Sequence, residues 1–172
     1  MAPKNATEAL AKMDRTRIDL PTGRREEIIA LLTDRLSETI DLQLQIKQAH
    51  WNVKGPHFIA LHELFDDFDG EVTEYVDLTA ERITALGEVA EGTVQAVAGR
   101  TGLPAYPMTI ADGMDHVDAL ATAFAAFGKG TREAIDRSDD LGDADTADIF
   151  TGISRGIDKS LWFLEAHLQG GR

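Results

Sequence analysis

The segment K47-QAHWNVKGPHFIALHELFDDFDGEVTEYVDLTAE-R82 decides the reading of this chain. It carries three of the five histidines and a set of regularly spaced carboxylates. His62 and Asp66 are four residues apart, as are Asp77 and Glu81. Four residues make about one helical turn, so each pair projects from a single face. Asp66 and Asp77 are separated by eleven residues, which at ~100° per residue returns to nearly the same face. His50 precedes them, across a Val53-Lys54-Gly55-Pro56 break that cannot continue a helix. Imidazole and carboxylate without thiol is a donor set suited to iron, manganese or zinc.

The spacing also bears on assembly. At ~1.5 Å per residue the two acidic pairs lie roughly 16 Å apart along a helix, whereas ligands of one metal lie within ~2.0–2.2 Å of it. A straight helix cannot bring both pairs to one ion. A second copy, crossing antiparallel about a twofold near Gly70–Val72, would set His62 and Asp66 of one chain beside Asp77 and Glu81 of the other. Gly70 at that midpoint permits close approach. A single metal site built from these residues is therefore shared by two subunits.

Outward from this segment, KQAHWNVKG, FIALHELFD and D-x-x-A-E-R (Asp77 to Arg82) resemble the Dps family of dodecameric mini-ferritins. The resemblance continues through Tyr106-Pro107 and TADIFTGISRGIDKSLWFLEAH, and covers about residues 24–168. It implies that His50, His62 and Asp66 are ligands from one subunit, and Asp77 and Glu81 those from its twofold mate. It also implies a ferroxidase that oxidises Fe(II), with hydrogen peroxide preferred over O2, and stores ferric oxide in a hollow homododecameric shell that protects DNA. The rival reading is a nucleoid-associated DNA-packaging protein with a secondary metal site, and a third is a structural acidic shell without turnover.

Four amphipathic segments flank and include this stretch. Ile29, Leu32, Leu36 and Ile40 mark a helix over about 24–51, and Leu61, Leu64, Phe65, Phe68, Val72 and Tyr75 one over about 58–86. Val117, Leu120, Phe124 and Phe127 mark a third over 113–137, and Phe150, Ile153, Ile157, Leu161, Leu164 and Leu168 a fourth over 145–168. A Gly/Pro-containing link over 87–112, with a short helix at 93–99, is long enough to run the length of a bundle. The expected fold is all-α, a ferritin-like four-helix bundle with one long crossover. Residues 1–22 read as an N-terminal tail, 23–169 as the bundle and 170–172 as a C-terminal tail.

The chain has 172 residues, no cysteine, and 30 acidic against 17 basic side chains, a net charge of −13. That excludes a disulfide framework, and argues against the body being a nucleic-acid surface. No signal-like or membrane-length apolar run is present, so the expected location is the cytoplasm, with nucleoid association if DNA is bound. The tail holds Lys4, Lys12, Arg15 and Arg17 against Glu8, Asp14 and Asp19, so DNA binding is expected to be weak.

Other metal readings fail. His62–Asp66 is HELFD, not the HExxH of zinc proteases, and no histidine has a glutamate three residues before it, as an intrasubunit di-iron centre of the larger ferritins requires. His57 lies in the break with no carboxylate in phase and reads as a non-ligand, while His116 and His167 stand alone on other helices and read as structural. Trp51 reads as core packing, or, by the resemblance, as an electron donor beside the iron. Lys47 reads as an interface ion-pair partner. In the acidic run 139–148, Asp145 can cap a helix, while Asp143, Asp145 and Asp148 are the alternatives for an iron-entry funnel.

Overall fold

The computed structural model describes residues 13–169. Among these the chain forms five helices and no β-strand. They are α1 (Thr22–Asn52), α2 (Phe58–Ala85), α3 (Val94–Arg100), α4 (Gly113–Asp140) and α5 (Ala144–Leu168). Helix α1 packs along α2 and α4 along α5; contacts between α1 and α4 and between α2 and α5 join the two hairpins into a four-helix bundle. The short α3 rides on α1 within the long crossover.

The predicted stripes form the core, except that Ile40, Leu64 and Leu161 are half-buried and Leu168, at the end of α5, is exposed. Leu32, Leu36, Leu61, Phe65, Leu120, Phe124, Phe127, Phe150 and Ile157 are all buried. Phe68 and Phe124 meet across the bundle with ring centroids 5.4 Å apart. Aromatic rings bring large buried areas to these positions, and apolar burial is the main term holding the helices together.

Two hairpin ends share one stop. Helices α2 and α4 end at Leu86 and Leu141, each followed by a glycine in the left-handed region, Gly87 (φ 105°) and Gly142 (φ 75°). The Gly87 and Glu88 N–H groups donate to Thr84 and Ile83 carbonyls, and those of Gly142 and Asp143 to Asp139 and Ser138. This pattern satisfies the last carbonyls of a helix and needs a residue without Cβ strain. Arg25 and Arg24, from the start of α1, donate to the Leu86 and Leu141 carbonyls at 2.9 and 3.2 Å, placing cations at the negative ends of both helices.

The part of the expected tail that lies within the described residues packs against the bundle. Met13, Ile18 and Leu20 lie against the core, and the Asp14 N–H donates to the Gly87 carbonyl at 2.8 Å. Three apolar residues at irregular spacing give no periodic signal, which is why the segment reads as a free arm. Residues 1–12, with Lys4, Glu8 and Lys12, and the expected C-terminal tail 170–172 lie outside the described residues.

Candidate metal centre

The α1–α2 hairpin turns through the Gly55-Pro56 break, and its antiparallel packing sets the end of α1 beside the start of α2. His50 and His62, twelve residues apart in sequence, stack with ring centroids 3.7 Å apart. His50 Nδ1 lies 2.9 Å from the His62 carbonyl, and His62 Nδ1 lies 2.9 Å from the His50 carbonyl. A carbonyl only accepts, so both Nδ1 atoms carry the proton and donate. In the neutral imidazole this tautomer leaves the Nε2 lone pair free, the form that binds a metal.

Asp66 joins this pair, its Oδ1 3.8 Å from His50 Nδ1. It also accepts from Lys47 Nζ at 2.9 Å, and Asp69 Oδ2 lies 3.6 Å from the same ammonium. The hydrogen bond and charge of Lys47 hold the Asp66 carboxyl below the usual carboxylate range. The hydrogen bond to Asp66 in turn raises Lys47. Both ions are thus kept charged. Lys47, expected at an interface, instead pairs within the protomer to a predicted ligand. One helical turn separates it from Trp51, and nothing in α1 alone indicates that α2 brings Asp66 to it.

Asp77 and Glu81 lie farther along α2 and are exposed. Among the described residues neither carboxylate makes a hydrogen bond or ion pair. Nor do three or more His, Asp or Glu side chains gather at metal-binding distances within the protomer, among the described residues. The chain sets His50, His62 and Asp66 near one another without closing a metal-binding cluster, and leaves Asp77 and Glu81 apart from them, as their spacing along one helix requires. The face between the two groups is open: a Cβ built on Gly70 meets nothing within 4 Å.

Large apolar side chains lie exposed on the same hairpin, with Trp51 66%, Ile59 60% and Leu78 45% accessible. Trp51 is therefore not core, contrary to the simpler reading of the sequence. It falls in the last turn of α1 just past the buried Ala49, where the helix face turns outward. Two open cavities flank the crossover, one of about 490 Å³ against α4 and one of about 370 Å³ against α1. Neither includes any of the five candidate residues, and neither is lined by a histidine, so the histidine pair is the better candidate.

The acidic run resolves into two kinds of residue. Asp143, not Asp145, caps α5: its Oδ1 accepts from the Thr146 N–H at 3.1 Å and from Arg82 Nη2 at 2.6 Å. Burial pushes its carboxyl up, but the Arg82 and Thr146 hydrogen bonds outweigh that and hold it below the usual range. Buried and fully partnered, Asp143 has no surface to offer an iron funnel. Asp145 and Asp148 are exposed. His57 is exposed at the start of α2, and His167 donates through Nδ1 to the Phe163 carbonyl at 2.7 Å. His116 is buried and pairs with the Tyr106 hydroxyl, a contact that its isolation in the sequence did not reveal.

The ferritin-like domain family matches residues 29–172. The DNA protection during starvation protein of Agrobacterium fabrum is 49% identical over 158 residues, covering 92% of this chain and 98% of the relative. Its counterpart in Mycolicibacterium smegmatis is 33% identical over 150 residues, 87% of this chain and 81% of that protein. Among solved structures, Mycobacterium smegmatis Dps superposes with a TM-score of 0.88 at 31% identity, over 93% of this chain and 96% of that one. DpsA14 from Streptomyces coelicolor superposes with a TM-score of 0.88 at 34% identity, over 92% and 94%.

Proposed function

This chain belongs to the Dps family of ferritin-like proteins, and from that premise we propose that it oxidises Fe(II) at sites shared between twofold-related subunits. Membership supports iron storage and DNA protection in general. The finer reading is a ferroxidase that uses hydrogen peroxide in preference to O2 and keeps the ferric product inside a homo-oligomeric shell. Twelve subunits are the assembly the family resemblance implies.

The observation that carries this reading is the His50–His62 pair. Two imidazoles with both Nδ1 atoms engaged by backbone carbonyls offer two Nε2 lone pairs, with the ionised Asp66 beside them. Neutral imidazole suits the ferrous substrate and carboxylate the harder ferric product. In this reading His50, His62 and Asp66 of one subunit face Asp77 and Glu81 of its mate, which have no partner of their own in the protomer among the described residues. The exposed apolar residues around them suit a surface covered by a second copy. Passing two electrons from paired Fe(II) to one peroxide yields water and limits release of hydroxyl radical.

No described helix is long and apolar enough to cross a membrane. Cytoplasmic location, with nucleoid association if the tail engages DNA, completes the proposal. The DNA-packaging alternative keeps some support from the names of the relatives but none from the −13 charge. Peroxide-dependent loss of Fe(II) by the purified shell tests the main reading. A rate no faster than that of iron and peroxide in buffer would reject it.

A further inference from the structure

We propose that Tyr106 is a one-electron donor to the peroxide chemistry proposed above, with His116 as the base that takes its phenolic proton. The inference rests on the ferroxidase reading, and concerns a buried histidine and a half-buried tyrosine outside the candidate ligand set.

The Tyr106 hydroxyl lies 2.5 Å from His116 Nδ1, with the two ring planes 21° from parallel. His116 is 1% exposed. Burial lowers its pKa, so the ring is neutral and Nδ1 offers a lone pair to the phenol. With Nδ1 accepting, Nε2 carries the ring proton. It has no partner of full hydrogen-bond geometry, and its nearest backbone acceptor is at Asn52. Tyr106 is half-buried, and a phenol that loses an electron also loses its proton, because the radical cation is a far stronger acid than the phenol. A neutral imidazole at hydrogen-bond distance accepts that proton without rearrangement.

The other tyrosine is less suited. Tyr75 donates to Glu71 Oε1 at 2.8 Å, and the other oxygen of that carboxylate accepts from Ser160 at 2.9 Å. A carboxylate, with an ordinary pKa of ~4.3, is a weaker base than imidazole at ~6.5. The pair is tied to the end of α1 that carries His50, since His116 lies beside the Asn52 backbone. Asn52 follows His50 by two residues in α1, about 3 Å along the axis. The Lys54 N–H donates to the Ala111 carbonyl at 3.1 Å, pinning the crossover between Tyr106 and His116 to the end of α1.

The step balances as follows. When one Fe(II) alone meets peroxide, a single electron gives Fe(III), hydroxide and a hydroxyl radical. The radical takes an electron from Tyr106 and becomes a second hydroxide. The phenolic O–H bond breaks and its proton bonds to His116 Nδ1, leaving a neutral phenoxyl radical and an imidazolium. A later Fe(II) returns one electron and the proton moves back, so the pair is reset and a second Fe(III) forms.

Freeze-quenched electron paramagnetic resonance on the full shell, with about one Fe(II) per site and added peroxide, tests this. Fe(II) loss is followed in the same samples. The chain has two tyrosines, and deuterating the tyrosine rings separates a phenoxyl signal from one on tryptophan. The expected signal survives Tyr75→Phe, disappears in Tyr106→Phe and falls severalfold in His116→Asn. Iron oxidation without a phenoxyl signal, or a signal that persists in Tyr106→Phe, overturns the proposal. So does a yield that His116→Asn leaves unchanged. If iron is not oxidised at all, the ferroxidase reading fails and the metal-free shell decides the donor. Azide radicals generated by pulse radiolysis should then give phenoxyl absorbance in the wild type and not in Tyr106→Phe; equal yields reject Tyr106.

Discussion

Arg82 donates to Asp143 Oδ1 at 2.6 Å, and through Nε to Thr146 Oγ1 at 2.9 Å, tying the last turn of α2 to the first turn of α5. Its neighbour Glu81 stays exposed. One helical turn thus anchors the bundle through Arg82 and offers a carboxylate through Glu81. The pair accounts for two residues of the D-x-x-A-E-R run by different physics.

Asp143→Ala leaves the largely buried Arg82 guanidinium without its ion-pair partner, keeping only the Thr146 hydrogen bond, and removes the α5 cap. Breaking a buried ion pair from one side costs about 3–5 kcal/mol. Asp145→Ala, at an exposed position, should change stability by no more than ~0.5 kcal/mol. Urea denaturation of both variants at one protein concentration checks the contrast. The Asp143 carboxyl sits below its ordinary value in the folded state, so its contribution is present above an ordinary pKa of ~3.9. It is lost as pH falls through the lower folded value.

Asp77→Asn and Glu81→Ala each remove an anionic oxygen at an exposed position. Both should leave the fold intact, since neither side chain has a partner in the protomer among the described residues. Initial rates of peroxide-dependent Fe(II) oxidation should fall at least tenfold, as is typical when a metal-binding group is lost. Wild-type rates in both variants would remove Asp77 and Glu81 from the site.

Sharing between subunits is open to complementation. His50→Ala and Glu81→Ala chains are unfolded together and reassembled. Random pairing makes half the dimers mixed, and each mixed dimer holds one doubly damaged and one intact site. About one quarter of the sites should recover activity. An intrasubunit site predicts no recovery.

His116 carries a separate pH signature. Burial lowers its folded pKa below the ordinary ~6.5. As pH falls from that value, the unfolded chain takes up a proton that the folded chain refuses. Stability therefore declines by up to about 1.4 kcal/mol per pH unit until the folded value is reached. His116→Asn should remove that part of the slope between pH 7.5 and 5.5 in urea titrations, whatever its effect on absolute stability. Parallel slopes in the two proteins would contradict a buried neutral histidine.

DNA binding should be weak and sensitive to salt. Residues 1–19 hold four basic and three acidic side chains, about +2 with the α-amino group. The stretch that carries the exposed Arg15 and Arg17 is held on the bundle through Met13, Asp14 and Ile18. A single arm neutralises too few phosphates to hold DNA at physiological salt, though several on one shell add by avidity. The acidic body opposes binding, screened over ~8 Å at 0.15 M salt. Gel shifts should show sequence-independent complexes at low salt that dissolve near 0.15 M. Deleting residues 2–19 should abolish them without slowing iron oxidation. Tight binding at 0.15 M salt, or binding that survives the deletion, is the contrary result.

The helices and their inward faces were legible in the sequence because a 3.6-residue period is a local property. Leu32, Phe65, Phe124 and Ile157 declare their burial by spacing alone. The same period showed that Asp66 and Asp77 cannot reach one ion from a single helix. Pairings between distant residues were decided by the tertiary structure. Nothing in the chain order foretells that Lys47 meets Asp66, that Arg82 meets Asp143 rather than leaving it to solvent, or that His116 receives the Tyr106 hydroxyl. Those contacts depend on how the hairpins dock and where the crossover lies, and docking is set by the summed packing of side chains far apart in sequence. The mutual lock of His50 and His62 is of that kind: the residues were legible as candidate ligands, but the carbonyls that face both Nδ1 atoms come together only when α2 turns back along α1.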